Sequence, residues 1–147
     1  MKAPQIILLI VAIFVVQAGI WFLMSRWLLK KTEALKNKLI EHYRQANTEF
    51  IIEPQSALYR GADARFGHVK GNGVICLTEE TLLFEKITGQ KIEIPRAEIA
   101  GADVEKSFKG QTSVATGGRH LVIKTKEGNR IGFLLKNAEE WVRKINQ

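Results

Sequence analysis

GNGVICLTEETLLFEKITGQKIEIP, residues 71–95, is a series of short Ile-, Leu-, Val- and Phe-rich runs broken by turn residues, and it predicts consecutive β-strands. In its last five residues, Lys91-Ile92-Glu93-Ile94-Pro95, polar and apolar side chains alternate, so one face turns to a core. Ile131-Gly132-Phe133-Leu134-Leu135 does the same with Ile131, Phe133 and Leu135. Residues 74–77, 82–87, 99–104 and 121–125 complete the predicted strands. Gly71-Asn72-Gly73, Thr88-Gly89-Gln90 and Glu127-Gly128-Asn129 are expected between strands, where glycine supplies the positive φ that tight hairpins need. Consecutive strands should therefore pair mostly antiparallel.

The chain closes with Asn137-Ala138-Glu139-Glu140-Trp141-Val142-Arg143-Lys144-Ile145, where acids precede bases and Asn137 is placed to cap a helix. Ala138, Trp141, Val142 and Ile145 form an apolar stripe at i, i+3, i+4 and i+7, and a helix this short needs that stripe buried against the strands. Trp141 is expected as a core plug.

Upstream the character changes. Residues 6–24, IILLIVAIFVVQAGIWFLM, carry no charge, and thirteen of the nineteen are Ile, Leu, Val or Phe. At about 1.5 Å per residue they reach roughly 28 Å, close to the hydrocarbon thickness of a bilayer. Ile6, Leu9, Ile13, Phe14, Ile20, Trp21 and Phe22 are the expected anchor residues; only Gln17 opposes insertion appreciably. A cleaved secretory signal is the alternative, with Lys2 as its charged start and Val16-Gln17-Ala18 as the cut. However, the apolar run continues through Met24, past that cut, which favours a retained anchor. Lys2 alone precedes the span, whereas Arg26, Lys30, Lys31, Lys36 and Lys38 follow it closely, so the C-terminal part is expected in the cytoplasm and the N-terminus outside the cell membrane. A single cysteine, Cys76, agrees with a reducing compartment.

Three segments follow from this: an anchor over residues 1–25, a basic amphipathic helix over 26–53, and a β domain over 54–147. Residues 26–50 lack Gly and Pro, and Leu28, Leu35, Leu39, Tyr43 and Ala46 recur along one helical face. Glu53-Pro54 is the expected end of that helix.

The order Leu58-Tyr59-Arg60-Gly61, Gly73-Val74-Ile75-Cys76-Leu77-Thr78, Thr81-Leu82-Leu83-Phe84, Ile94-Pro95-Arg96-Ala97-Glu98-Ile99, Leu121-Val122-Ile123-Lys124-Thr125 and Glu139-Glu140-Trp141-Val142 resembles the GRAM and bacterial pleckstrin-homology-like family. The likeness covers about the last ninety residues and none of the anchor. It implies a mainly β fold, a bent antiparallel sandwich or barrel of about seven strands plugged by a C-terminal helix. It also implies a basic loop between the first two strands, here residues 60–70 with Arg65, His68 and Lys70. Arg65 and Lys70 would offer a forked donor and a mobile point charge to a phosphorylated headgroup. Asp63 offsets part of that charge, and an ordinary solvated hairpin is the plain alternative.

Catalytic signals are missing. His42, His68 and His120 stand far apart, no metal-ligand spacing occurs, and Cys76 between Ile75 and Leu77 reads as a small buried residue. Neither a Gly-x-Ser-x-Gly elbow nor a phosphate loop is present, so no enzyme, cofactor or metal is expected. Residues 1–49 hold seven bases against three acids, and residues 50–147 fifteen against twelve, which concentrates the excess beside the span. Arg26, Lys30, Lys31, Lys36 and Lys38 could hold an anionic leaflet at about 1 kcal/mol each, or simply set topology. Nucleic acid is not an expected partner, because no aromatic residues interleave the bases. Residues 106–119 are expected as a long loop of the kind that carries recognition. The expected function is a non-enzymatic adaptor for a protein partner or anionic headgroup; the alternative is a structural subunit that oligomerises through the anchor and the following helix.

Overall fold

The computed structural model describes residues 2–112 and 119–147. The chain divides into two compact units, Met1–Ala34 and Leu35–Gln147. Helix α1 is assigned to Ala3–Gln45, 43 residues. At its start the Lys2 backbone N–H donates to Gln5 Oε1 at 3.0 Å, and Pro4 lies in the first turn, where no N–H is needed. Within the first unit this is a helix long and apolar enough to cross a membrane, with none of its apolar stretch buried.

The end of α1 differs from the sequence expectation. Helix stops at Gln45, and Asn47 takes a left-handed φ of 52°. Thr48 N–H donates to Tyr43 O at 3.0 Å and Asn47 N–H to Arg44 O at 3.1 Å, the paired bonds of a Schellman end. Glu53 and Pro54 instead lie inside a strand, β1 (Phe50–Ala62). There the register against the next strand slips between Ile52 and Gln55, so the bulge accommodates a residue without a donor.

The second unit continues with β2 (Gly71–Thr78), β3 (Thr81–Lys86), β4 (Lys91–Pro95), a 3₁₀ turn (Arg96–Glu98), β5 (Ile99–Glu105), β6 (Ser107–Phe108), β7 (Gln111–Thr112), β8 (His120–Thr125), β9 (Arg130–Leu134) and α2 (Ala138–Asn146). Seven strands make one antiparallel sheet in the order β4-β3-β2-β1-β9-β8-β5, as expected from the alternation and hairpin signals. The sheet has two edges, β4 and β5, so it is not the closed barrel that the resemblance allowed. Gly89 and Gly128 take the expected positive φ in their hairpins. Gly71-Asn72-Gly73, by contrast, belongs to β2. Gly73 is required for closeness: a Cβ there would stand 2.7 Å from Phe84 Cζ and nearer still to the Glu85 carbonyl oxygen.

One face of the sheet holds the main core. Ile75, Leu77, Leu82, Phe84, Ile92, Ile94, Leu121, Ile123, Ile131 and Phe133 meet Ala138, Trp141 and Ile145 of α2 there. Tyr59, Phe84 and Phe133 gather at centroid separations of 5.3–5.8 Å. Ala138, Trp141 and Ile145 of the predicted α2 stripe are thus buried and Val142 is half-buried against the same core, although the Asn137 side chain caps no backbone donor and instead holds Glu140 Oε2 at 2.8 Å. At the far end of α2, Asn146 accepts from Ala102 N–H at 2.9 Å and donates to Ala102 O at 3.0 Å, so it covers the free edge of β5.

The opposite face of β2 and β3 is covered as well. Val74, Cys76 and Leu83 pack with Leu39, flanked by Leu35, Tyr43 and Phe50. Leu35, Leu39 and Tyr43, the part of the helical stripe in this unit, therefore pack against its own sheet. Farther along the same face, Phe108 is buried over Gly132, where any Cβ would collide with its ring. Residues 106–112 accordingly form a short hairpin, β6–β7, rather than open loop; residues 113–118 of the expected loop lie outside the described residues.

Candidate functional site

Two groups of basic residues were singled out by the sequence, and the chain treats them differently. In the first unit Arg26, Lys30 and Lys31 are exposed on α1. Arg26 lies over the Phe22 ring at 5.5 Å and Lys31 over Trp27 at 5.7 Å. Their aromatic supports leave the charges outward, an arrangement suited to a headgroup layer. In the second unit Lys36 is half-buried, and exposed Lys38 pairs with the buried carboxylate of Glu85 at 3.4 Å. The five-residue belt thus separates into three exposed charges, one half-buried lysine and one lysine paired with Glu85.

The loop between β1 and β2 is fixed from within. The Tyr59 hydroxyl donates to Gly67 O at 2.7 Å and lies 3.1 Å from Phe66 O, and burial pushes its pKa up to about 12. Lys86, buried on β3, donates to Val69 O at 2.5 Å and to Gln90 Oε1 at 2.7 Å, with its ammonium 4.9 Å from the centre of the Tyr59 ring. Burial lowers its pKa. An ammonium held by two oxygens and a ring face acts as a peg that shapes the loop, since three donors need acceptors wherever water is excluded. Nothing in the sequence marks Lys86 for this role, because its neighbours Leu82, Leu83 and Phe84 read as a plain apolar strand.

On the loop, Arg65 takes a left-handed φ of 65° and its guanidinium reaches Glu98 at 3.0 Å and Glu127 at 3.9 Å. Two carboxylates therefore offset its charge. His68 and Lys70 are exposed. Arg65, Phe66 and Gly67 line a cleft of about 380 Å³ with Gln90, Lys91, Ile92 and Glu93, which His68 and Lys70 do not line. The three residues expected to meet a phosphate are not gathered into one pocket.

A second cleft, of about 260 Å³, lies in the β unit among Lys38, Leu39, Glu41, His42, Gln45, Glu85 and Lys91. Its buried charge is Glu85, whose carboxylate pairs with Lys38 and, at 3.8 Å, with Lys91. Acids and bases balance there, so the cleft has no strong preference for an ion of either sign. Asp63 holds Arg130 at 3.3 Å and Lys109 at 3.7 Å, and both cations lie over Phe108, an ion-pair group that pins the β6–β7 hairpin.

Cys76 is fully buried, and burial pushes its pKa up to about 12, so it is a packed thiol and not an activated one. Among the described residues no group of three or more His, Cys, Asp or Glu side chains is arranged to hold a metal ion.

Neither a protein-family model nor a curated protein matches the chain. Among solved structures, the chain is similar to the C-terminal domain of an unknown protein from Leishmania infantum, at 14% identity and a TM-score of 0.52. That likeness covers 76% of this chain and 97% of the other, and it speaks for the fold alone.

Proposed function

We propose that this chain is a single-pass, membrane-anchored binding module of the pleckstrin-homology-like kind, non-enzymatic, with its β unit on the cytoplasmic side. The observation that carries the reading is the pairing of two self-contained parts. One is an apolar helix segment with no buried side, which only lipid or another membrane helix would cover. The other is a β unit that buries its own apolar residues on both sheet faces. Exposed Arg26, Lys30 and Lys31 directly after the span support the orientation and would grip an anionic inner leaflet. The module concentrates a protein partner or a headgroup at that surface.

Headgroup binding through the β1–β2 loop gives a graded expectation. Arg65 already spends its charge on Glu98 and Glu127, whereas Lys70 is exposed. Flotation of Leu35–Gln147 with vesicles of phosphatidylcholine and a phosphoinositide should weaken severalfold for Lys70→Ala and much less for Arg65→Ala. Equal binding by wild type and Lys70→Ala would remove the loop as a headgroup site. Crosslinking in intact cells from His68 then separates the two broad readings: a partner other than this chain supports the adaptor, and copies of this chain alone support a structural subunit.

A further inference from the structure

Gln17 is the polar exception in the span, two residues beyond the midpoint of residues 6–24 and so about 3 Å from the bilayer centre if the helix inserts. Its carboxamide carries two donors and an acceptor, and no hydrogen bond satisfies them among the described residues. About 15 Å of hydrocarbon separates the bilayer centre from either headgroup layer, farther than a glutamine side chain extends. An unpaired amide at that depth is costly, so it needs a partner within the membrane.

The neighbours of Gln17 specify the surface. Phe14, Gln17, Ala18, Trp21 and Ser25 follow one another at helical spacing on one face and line a single groove with Phe22. Ser25 Oγ already donates to Trp21 O at 2.8 Å within its own helix, which leaves the Gln17 carboxamide and, one turn nearer the end of the span, the Trp21 indole N–H as the groove's side-chain donors without a hydrogen bond among the described residues. Ala18 beside it is small and exposed, so a second backbone has room to approach. The geometry points to self-association of the anchor: two copies pair in parallel through this groove, with each Gln17 carboxamide donating to the other.

A second copy is the occupant because a carboxamide is its own complement, and copies inserted in the same orientation place Gln17 at the same depth by construction. A two-fold axis then satisfies both amides at once. A different membrane helix would need a polar group at that level independently. This inference rests on the anchor reading, and it differs from oligomerisation through residues 35–43, which the β unit already covers.

The test uses the full chain, labelled at its C-terminus with donor or acceptor fluorophores and reconstituted in phosphatidylcholine vesicles, with energy transfer followed as lipid is added. Wild type should associate, Gln17→Leu should weaken association about 5- to 30-fold, and Gln17→Asn should retain most of it. Leu9→Ala, outside the groove, should leave association unchanged. Gln17→Leu only increases apolarity, so insertion is preserved. Wild type that inserts but stays monomeric, or Gln17→Leu that associates as well as wild type, overturns the pairing alone. A chain that does not float with the vesicles overturns the pairing and the anchor together.

Discussion

Trp141→Ala is expected to remove about 3–5 kcal/mol from the stability of the β unit, a large part of the 5–15 kcal/mol typical of a domain. Trp141 is fully buried, and α2 brings it into the main core together with Ala138 and Ile145. Truncation therefore leaves a cavity bounded by both sheet and helix. For a unit of this size the loss should lower the melting temperature by about 15 °C or more. Trp141→Phe should cost well under half as much. The indole N–H of Trp141 has no hydrogen-bond partner among the described residues, so phenylalanine gives up ring volume but none of those bonds. Thermal unfolding of Leu35–Gln147 and its two variants checks the pair. An alanine variant melting within a few degrees of wild type would show that α2 is not the plug described.

Leu39→Ala should be the second large effect, at about 2–5 kcal/mol, and it carries its own local reporter. Leu39 lies against Val74, Cys76 and Leu83 on the outer face of β2 and β3. Cys76 is fully buried there, and burial pushes its pKa up to about 12. Loosening the helix over it should expose the thiol before the sheet itself opens. Alkylation of Cys76 at neutral pH is thus expected to be slow in wild type and at least tenfold faster in Leu39→Ala. Unchanged labelling together with unchanged stability would contradict docking of this part of α1 on the sheet. The same packing makes a chain beginning at Phe50 a poor substitute for the whole unit, since it strips the cover from Val74, Cys76 and Leu83.

Legibility of the fold in the sequence followed how many sheet faces are covered. β4 shows the alternation of Lys91, Ile92, Glu93 and Ile94 because only its inner face is buried. β2 and β3 are buried on both faces, so alternation disappears, and the roles of Glu85 and Lys86 disappear with it. The α2 stripe was readable because its four apolar residues are local. The sequence pattern places the end of α1 too late because Pro54 is a stronger written stop than Gln45-Ala46-Asn47-Thr48, whose Schellman bonds depend on Asn47 taking a left-handed φ. The seat of Phe108 over Gly132 joins residues 24 positions apart, beyond the reach of any local pattern. Arg65 is readable as a charge, but its engagement by Glu98 and Glu127 depends on how the sheet brings the β1–β2, β4–β5 and β8–β9 connections together.

The account turns on residues 6–24 being retained as a membrane span. The most direct measurement is to wash membranes from cells making the full chain with alkaline carbonate and to determine the intact mass of the chain in pellet and supernatant. The chain is predicted to remain in the pellet with residues 6–24 intact. A chain found in the supernatant, or one whose mass places its first residue after Ala18, would contradict it.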